Sequence, residues 1–186
     1  MKTESNRVID SLLLVGERGQ DVQMIDKNRF RKLRNNIEYG NLFASEDTTK
    51  ISAIKVYVKY SFSSLILFGL LDENQVSDIQ EEKLYSSPRV YGWISANGKS
   101  IETAIGATDG FHLQNEDVVE MSFNRKTRLF TLKVQSTEQV YSMQVPFEIG
   151  RFCWNISQAD IELSFSHLRE FPRTKPRLSF WSWFRV

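Results

Sequence analysis

Residues 53–71, AIKVYVKYSFSSLILFGLL, decide the fold class. Alternate residues of the first half are apolar and share one face, whereas Lys55 and Lys59 fall on the other face. The apolar positions are Ile54, Val56, Val58 and Tyr60. The second half, from Ser64 to Leu71, is a continuous apolar run, which is typical of a strand covered on both faces. A period of two residues predicts strands and not helices.

The same period continues along the chain. Further strands are expected at 89–94, 117–123, 128–134, 140–145, 152–156 and 161–165. Polar turns separate them, among them Asn97-Gly98, a dipeptide strongly favoured in tight turns. Seven or more short strands at this spacing predict an all-β fold, an antiparallel two-sheet β-sandwich with little helix. A short helix is expected around Asp26 to Leu33.

Length and composition fit one folded domain. The chain has 186 residues, of which 41% are hydrophobic and 25% charged, and its net charge is +1. This balance argues against global disorder and against nucleic acid as the partner. We expect a sandwich domain over residues 1–168 and a basic, aromatic-rich tail over 169–186. No signal peptide or membrane span is evident, so a cytoplasmic location is predicted.

Candidate nucleophiles and metal ligands are scarce. The chain has two histidines, His112 and His167, and one cysteine, Cys153. Histidine-based metal triads and intrachain disulfides are therefore excluded. Cys153 lies between Phe152 and Trp154, and such a cysteine is usually buried filler.

Carboxylate pairs occur at Glu116-Asp117 and Glu81-Glu82, without a distinctive setting. No phosphate-binding glycine motif is present, since residues 106–110, GATDG, are typical of a turn. Asp109 lacks the rest of a calcium-ligand ladder. We therefore expect no enzyme activity, no cofactor and no metal.

The order of these segments resembles a SPRY domain, a concanavalin-like β-sandwich, over about Leu12 to Ser166. Four stretches carry the resemblance. They are VYVKYSFSSLILFGLLDEN, RVYGWISANGK, NEDVVEMSFNRKTRLFTLKV and VPFEIGRFCWNISQADIELSFS. The resemblance implies a non-catalytic module that binds a protein or peptide through loops at one edge, and a role as an adaptor or substrate-recognition subunit is compatible with it.

Four loops are the candidates for this binding, because rigid β scaffolds position loops that carry specificity. The loops are 72–88, 97–100, 106–117 and 124–127. The candidate binding residues within or beside them are Asp72, Glu73, Arg89, Tyr91, Asn97, Lys99, Asp109, His112 and Arg125. Tyr91 and Trp93 alternate in a strand, so core packing competes with binding and is favoured for Trp93.

The tail from Arg169 to Val186 has five basic residues and one acidic residue. Phe180, Trp181, Trp183 and Phe184 crowd into its end, and exposed clusters of large aromatics are unusual on a monomer. Docking on the parent domain is favoured, ahead of contact with a partner protein and then with an anionic membrane surface. A tail-driven membrane or assembly protein is thus the alternative function, and a carbohydrate-binding sandwich is a further one.

Overall fold

The computed structural model describes residues 13–15, 19–36, 40–61, 65–79, 84, 87–95 and 111–167. The tail over 169–186 lies outside the described residues, with its four aromatic candidates Phe180, Trp181, Trp183 and Phe184. The division into a domain at 1–168 and a separate tail stays a prediction.

The described chain is almost entirely β-structure. Its strands are β1 (Leu13–Val15), β2 (Val22–Asp26), β3 (Arg29–Lys32), β4 (Asn41–Ala44), β5 (Ala53–Lys59), β6 (Ile66–Asp72), β7 (Tyr91–Ser95), β8 (Asp117–Asn124), β9 (Leu129–Val134), β10 (Val140–Gln144), β11 (Gly150–Ile156) and β12 (Glu162–His167). Helical structure in the described ranges amounts to a 3-10 turn at Glu73–Gln75, a single turn, α1, at Val76–Ile79, and a 3-10 conformation at Leu84.

The strands form two antiparallel sheets. The five-stranded sheet has the order β1-β4-β11-β6-β7, and the seven-stranded sheet has the order β10-β9-β8-β5-β12-β3-β2. All named strand pairs are antiparallel. The predicted antiparallel two-sheet β-sandwich is therefore confirmed.

The core lies between the sheets, where alternate residues of each strand point inward. In β8 the buried residues Val119, Met121 and Phe123 alternate with half-exposed neighbours. Aromatic rings fill the centre: Trp93 is 5.1 Å from Phe130 between ring centroids, and Trp154 is 4.9 Å from Phe165. Trp93 is 4% exposed, so its predicted core role is confirmed.

The five-stranded sheet is covered on its outer face as well. A second apolar cluster lies there, in which Val76, Leu84 and Val90 pack over the sheet. The sheet residues they cover are Phe43, Leu67, Leu71, Ile94 and Cys153. The apolar run of β6 is thus buried on both sides, as the sequence predicted, and part of the expected loop 72–88 is this cover.

Cys153 and Gly69 show how tight that cover is. A Cβ on Gly69 would lie 2.6 Å from Val90 Cγ1 and 2.9 Å from Cys153 Sγ, so no larger residue fits. Cys153 is fully buried, and burial raises the pKa of its thiol because a thiolate would be desolvated. Its predicted role as filler is confirmed.

The helix expected at Asp26 to Leu33 is wrong. β2 and β3 form a hairpin there, and Asp26 Oδ1 accepts a hydrogen bond from the Asn28 amide, 3.2 Å away, within the turn. In β3 the buried residues Phe30 and Lys32 alternate with exposed arginines. The segment forms a strand because β3 pairs with β12 in the seven-stranded sheet, and its alternating burial follows from that pairing.

Candidate binding site at the two rims

Every strand runs between two ends of the sandwich, so the loops gather into two rims. One end is here called the ion-paired rim and the other the pocket rim. The ion-paired rim comprises residues 45–52, 72–75, 87–91, 125–128 and 145–151. The pocket rim comprises residues 33–36, 40, 60–61, 65, 111–118, 135–139 and 157–161.

The predicted binding residues are divided between these rims. Asp72, Glu73, Arg89, Tyr91 and Arg125 lie at the ion-paired rim, and His112 lies exposed at the pocket rim. The remaining loop candidates, Asn97, Lys99 and Asp109, lie outside the described residues. The expectation that all candidate loops share one edge is therefore wrong, because the loop ending at Asp117 and the turn after Asn124 are at opposite ends of β8.

At the ion-paired rim, Arg151 binds Glu73 with both arms of its guanidinium. Arg151 Nε donates to Glu73 Oε2 at 2.8 Å, and Nη2 donates to Oε1. Arg151 Nη1 also donates to the carbonyl oxygens of Ala44 and Ser45, each at 3.4 Å. The side chains of Arg151 and Glu73 are 16% and 27% exposed, so this pair is partly shielded from water.

A second set of bonds at this rim ties the loop between β4 and β5 to the start of β11. The Gly150 amide donates to Thr48 Oγ1 at 2.9 Å, and the Thr48 amide donates to the Gly150 carbonyl at 2.8 Å. Asp47 accepts a hydrogen bond from the Thr49 amide at 2.7 Å. The Thr49 hydroxyl, also a donor to Asp47, lowers the pKa of that carboxyl. These bonds fix the connection from β4 to β5.

The other predicted residues of this rim also have internal contacts. Asp72 Oδ1 accepts from the Asn74 amide at 3.0 Å. Arg125 Nε donates to the Glu148 carbonyl at 3.3 Å. Tyr91 is half-buried, with its ring centroid 5.6 Å from that of Phe147. These groups already stabilise the domain, which leaves less of them for a ligand.

At the pocket rim, described residues line two open pockets. The first has a volume of about 420 Å³ and the second about 410 Å³. The first is lined by Gln114, Asn115, Glu116, Asp117, Val118, Gln135 and Ser136. The second is lined by Asn35, Asn36, Leu65, Ser157 and Gln158. The first four residues of the first pocket, 114–117, fall in the predicted loop 106–117, whereas the other lining residues of both pockets lie outside the predicted loops. None of the lining residues was among the named candidate binding residues.

Asp117 shapes the first pocket. It is 4% exposed and accepts hydrogen bonds from the amides of Val118 at 2.8 Å and Ser136 at 3.1 Å. It also accepts from the Ser136 hydroxyl and, at 3.5 Å, from the Gln114 amide. One buried carboxylate thereby holds two loops together. Glu116 before it has a positive φ of 67° and is exposed.

Tyr60 ties the loop before β8 to β5. Its hydroxyl donates to the Leu113 carbonyl at 2.7 Å, and its amide donates to Asn115 Oδ1 at 2.8 Å. The side chains of Gln114 and Gln135 stay exposed beside these fixed groups. The pocket thus presents amide side chains, which both donate and accept hydrogen bonds, on a braced frame.

The second pocket is braced by Ser157 and Asn35. Ser157 Oγ donates to the Leu65 carbonyl at 2.7 Å, and the Asn36 amide donates to the Ser157 carbonyl at 2.9 Å. Asn35 Oδ1 accepts from the Ala159 amide at 2.8 Å. Leu65 supplies an apolar wall to an otherwise polar pocket.

Lys32 lies buried beneath this rim. Its side chain is 0% exposed, and Nζ is 3.8 Å from Asp21 Oδ2. Burial lowers the pKa of Lys32 to about 8, although Asp21 acts in the opposite direction. Asp21 is also 3.8 Å from the exposed Arg34. The backbone of Lys32 bonds to the loop at 160–161, so this buried charge lies under a wall of the rim.

The described residues contain no group of three histidine, cysteine or acidic side chains that could hold a metal. The Glu116-Asp117 pair does not form two free carboxylates, because Asp117 is occupied by its donors. Within the same ranges, no helix has both the length and the apolar character needed to cross a membrane.

Comparison with known proteins places the fold. No protein-family model matches the chain, and no curated protein matches it. Among solved structures, the PSpry domain of TRIM65 superposes with a TM-score of 0.60 at 9% identity, covering 81% of this chain and 88% of that one. The SPRY domain of human HERC1 superposes at 0.56 with 7% identity, covering 81% and 97%.

A further structure, described as a human SPRY domain, superposes with a TM-score of 0.56 at 14% identity, covering 81% of this chain and 96% of that one. Identities this low are evidence of shared architecture. The resemblance stated from the four sequence stretches is thereby confirmed at the level of the fold. This chain has a SPRY-like fold.

Proposed function

We propose that this protein is a non-catalytic protein-interaction module that binds an extended polypeptide segment at the pocket rim. SPRY domains are generally protein-interaction modules, and the SPRY-like fold supports the same class of function for this chain. Support for the place of binding comes from the described residues themselves.

One observation carries the proposal: the two open pockets that described residues line lie at the same rim, and amide side chains line both of them. Gln114, Gln135 and Gln158 are held on loops that other residues fix. Amides donate and accept, so they match the alternating N–H and C=O groups of an extended peptide. At the opposite rim, Arg151 and Arg128 are engaged with carboxylates of the domain.

The charge of the first pocket indicates the kind of segment it suits. Glu116 is exposed in its lining, and Asp117 lies buried behind it. Among the described residues, no basic side chain lines this pocket. A peptide with a lysine or arginine opposite Glu116 would gain charge-assisted hydrogen bonds, whereas an acidic peptide would be repelled.

An adaptor or substrate-recognition role is the finer form of this proposal. It requires a second contact besides the pocket rim, and the basic, aromatic tail over 169–186 is the segment to test for one. The predicted cytoplasmic location stays a prediction.

The experiment is selection of a random peptide library on the full chain, followed by affinity measurement with the recovered peptides. We expect one consensus with at least one basic residue. The double variant Gln114→Ala, Gln135→Ala should weaken binding at least about tenfold, because both amides face the peptide. Adding Glu116→Lys to this double variant should further weaken its affinity for peptides that carry the basic residue.

Arg128→Ala is the matched control, since it removes an exposed polar side chain at the opposite rim. It should change the affinity less than about twofold. Recovery of no consensus, or a consensus whose binding depends on the ion-paired rim and not on the pocket rim, would overturn the proposal.

A further inference from the structure

β10 forms an edge of the seven-stranded sheet, with backbone groups that face away from the sheet. On the β10 side, the residues that bond to β9 have odd numbers. The Val134 amide donates to the Gln139 carbonyl at 3.0 Å, and the Val145 amide donates to the Arg128 carbonyl at 3.0 Å. In an antiparallel ladder the intervening residues point their N–H and C=O groups to the other side. These residues are Val140, Ser142 and Gln144.

The other described edges are those of β1, β2 and β7, and each offers less for pairing. β1 has only three residues. β2 has an irregular register between Met24 and Asp26, and a bulge of this kind discourages further pairing. Along β7, Phe111 forms a bridge with Ser95, and its amide donates to a β7 carbonyl. β10 has no register shift against β9, and its sequence VYSMQ has neither a charge nor a proline. Val140 is also 59% exposed.

We propose that β10 is a self-association edge, at which a second copy of this chain adds its own β10 in antiparallel orientation. A two-fold axis at Ser142 places Ser142 opposite its copy and Val140 opposite Gln144 of the other molecule. These three residues are the ones with outward backbone groups, so the register gives about six hydrogen bonds across the seam.

The side chains agree with this register. No charged residue of β10 faces its copy, so pairing meets no like-charge repulsion. Tyr141 would lie opposite Met143, a favourable sulfur–aromatic pair. The next outward position would oppose Glu138 to Pro146, which has no N–H to donate, so the seam ends where β10 ends. A second copy therefore satisfies the edge over its full length.

The seam is small. A strand of five residues buries well below the roughly 1,200 Å² of a standard stable interface. We therefore expect reversible dimerisation with a dissociation constant of about 10–500 μM, so that monomer dominates in dilute solution.

Sedimentation velocity of the full chain from about 5 to 500 μM tests this. The wild type should shift from monomer to dimer across this range. Ser142→Pro should stay monomeric, because it removes an outward N–H and spares the ladder to β9. Ser142→Thr keeps the N–H and is the matched control, which should dimerise like the wild type.

A charge exchange separates self-pairing from other dimers and does not depend on the proline variant folding. Ser142→Lys and Ser142→Glu should each be monomeric, because the axis places the like charges opposite each other. An equimolar mixture of the two should form heterodimers. A wild type that stays monomeric at 500 μM, a dimer that survives Ser142→Lys, or a mixture that stays monomeric would overturn the proposal.

Discussion

The two rims are made by the same strands but differ in where their polar groups find partners. At the ion-paired rim, Arg151 satisfies Glu73 and two carbonyls, and Thr48 and Gly150 bond to each other twice. At the pocket rim, Asp117 satisfies the frame and leaves neighbouring amides such as Gln114 exposed. At the ion-paired rim the polar groups bond to one another and stabilise the domain. At the pocket rim the exposed amide side chains are available to a ligand.

The largest effect is expected from a glycine at each rim. A Cβ at Gly40 would overlap the backbone oxygen of Ile156, which cannot move without breaking β11, so Gly40→Ala should cost more than about 3 kcal/mol. A Cβ at Gly150 would lie 2.8 Å from the Phe147 ring and 2.9 Å from the Leu71 carbonyl. Because the ring can shift and the Leu71 oxygen overlaps far less than the Ile156 oxygen does with a Cβ at Gly40, Gly150→Ala should cost about 1–3 kcal/mol. Urea unfolding measures both, and equal costs would contradict this difference.

Next comes Asp117, the buried carboxylate of the pocket rim. Asp117→Ala should cost about 3 kcal/mol, because the amides of Val118, Ser136 and Gln114 lose their acceptor. It should also abolish peptide binding, since both loops lose their tie. Chemical unfolding gives the first number. Glu116→Ala is the neighbouring control, and its stability should stay within about 0.5 kcal/mol of the wild type.

The buried Lys32 gives a pH dependence. Its pKa falls from 10.5 to about 8 on folding, so between these values the unfolded chain binds more protons than the folded one. Stability from this group therefore rises with pH over that window and is lowest below pH 8. Relative to Lys32→Met, the wild type should gain about 2 kcal/mol between pH 7 and pH 10.

Lys32→Met is the reference for the wild type, because the two proteins share every ionising group except Lys32. Unfolding midpoints at each pH give the difference. If the difference in unfolding free energy between the two proteins stays constant, or if the wild type loses stability relative to the variant as pH rises, the burial cost assigned to Lys32 is wrong.

The smallest effects compare two ion pairs of one rim. Arg151→Met should cost about 1 kcal/mol, because its partly buried guanidinium serves Glu73 and the carbonyls of Ala44 and Ser45. Arg128→Ala should cost less than about 0.5 kcal/mol, since the Arg128–Glu148 pair is exposed. Neither change should weaken peptide binding. A loss of peptide affinity in either variant would contradict the assignment of structure to one rim and binding to the other.

The sequence predicted the sandwich because alternation is a local signal. β5, β8 and β9 show it within their own residues, and the covered strand β6 is a plain apolar run. Some strands were missed because their pattern is short or interrupted. β3 was expected to be helical, since its inward Lys32 broke the apolar alternation and only pairing with β12 fixed its conformation.

The site was predicted less well, because it depends on contacts between distant segments. Glu73 was a candidate for binding, but its partner Arg151 is 78 residues away and no local pattern connects them. Asp117 ended a predicted loop, yet its link to Ser136 follows only from the β8–β9 register. Which end of the sandwich a loop reaches also depends on strand direction, and this is why the candidates were divided between rims.

Backbone amide chemical shifts on addition of a library-selected peptide test the central claim most directly. The account predicts that the largest shifts fall at residues 113–118, 135–139 and 157–158, while 45–50 and 125–128 stay unchanged. Shifts concentrated at the ion-paired rim, with the pocket rim silent, would contradict it.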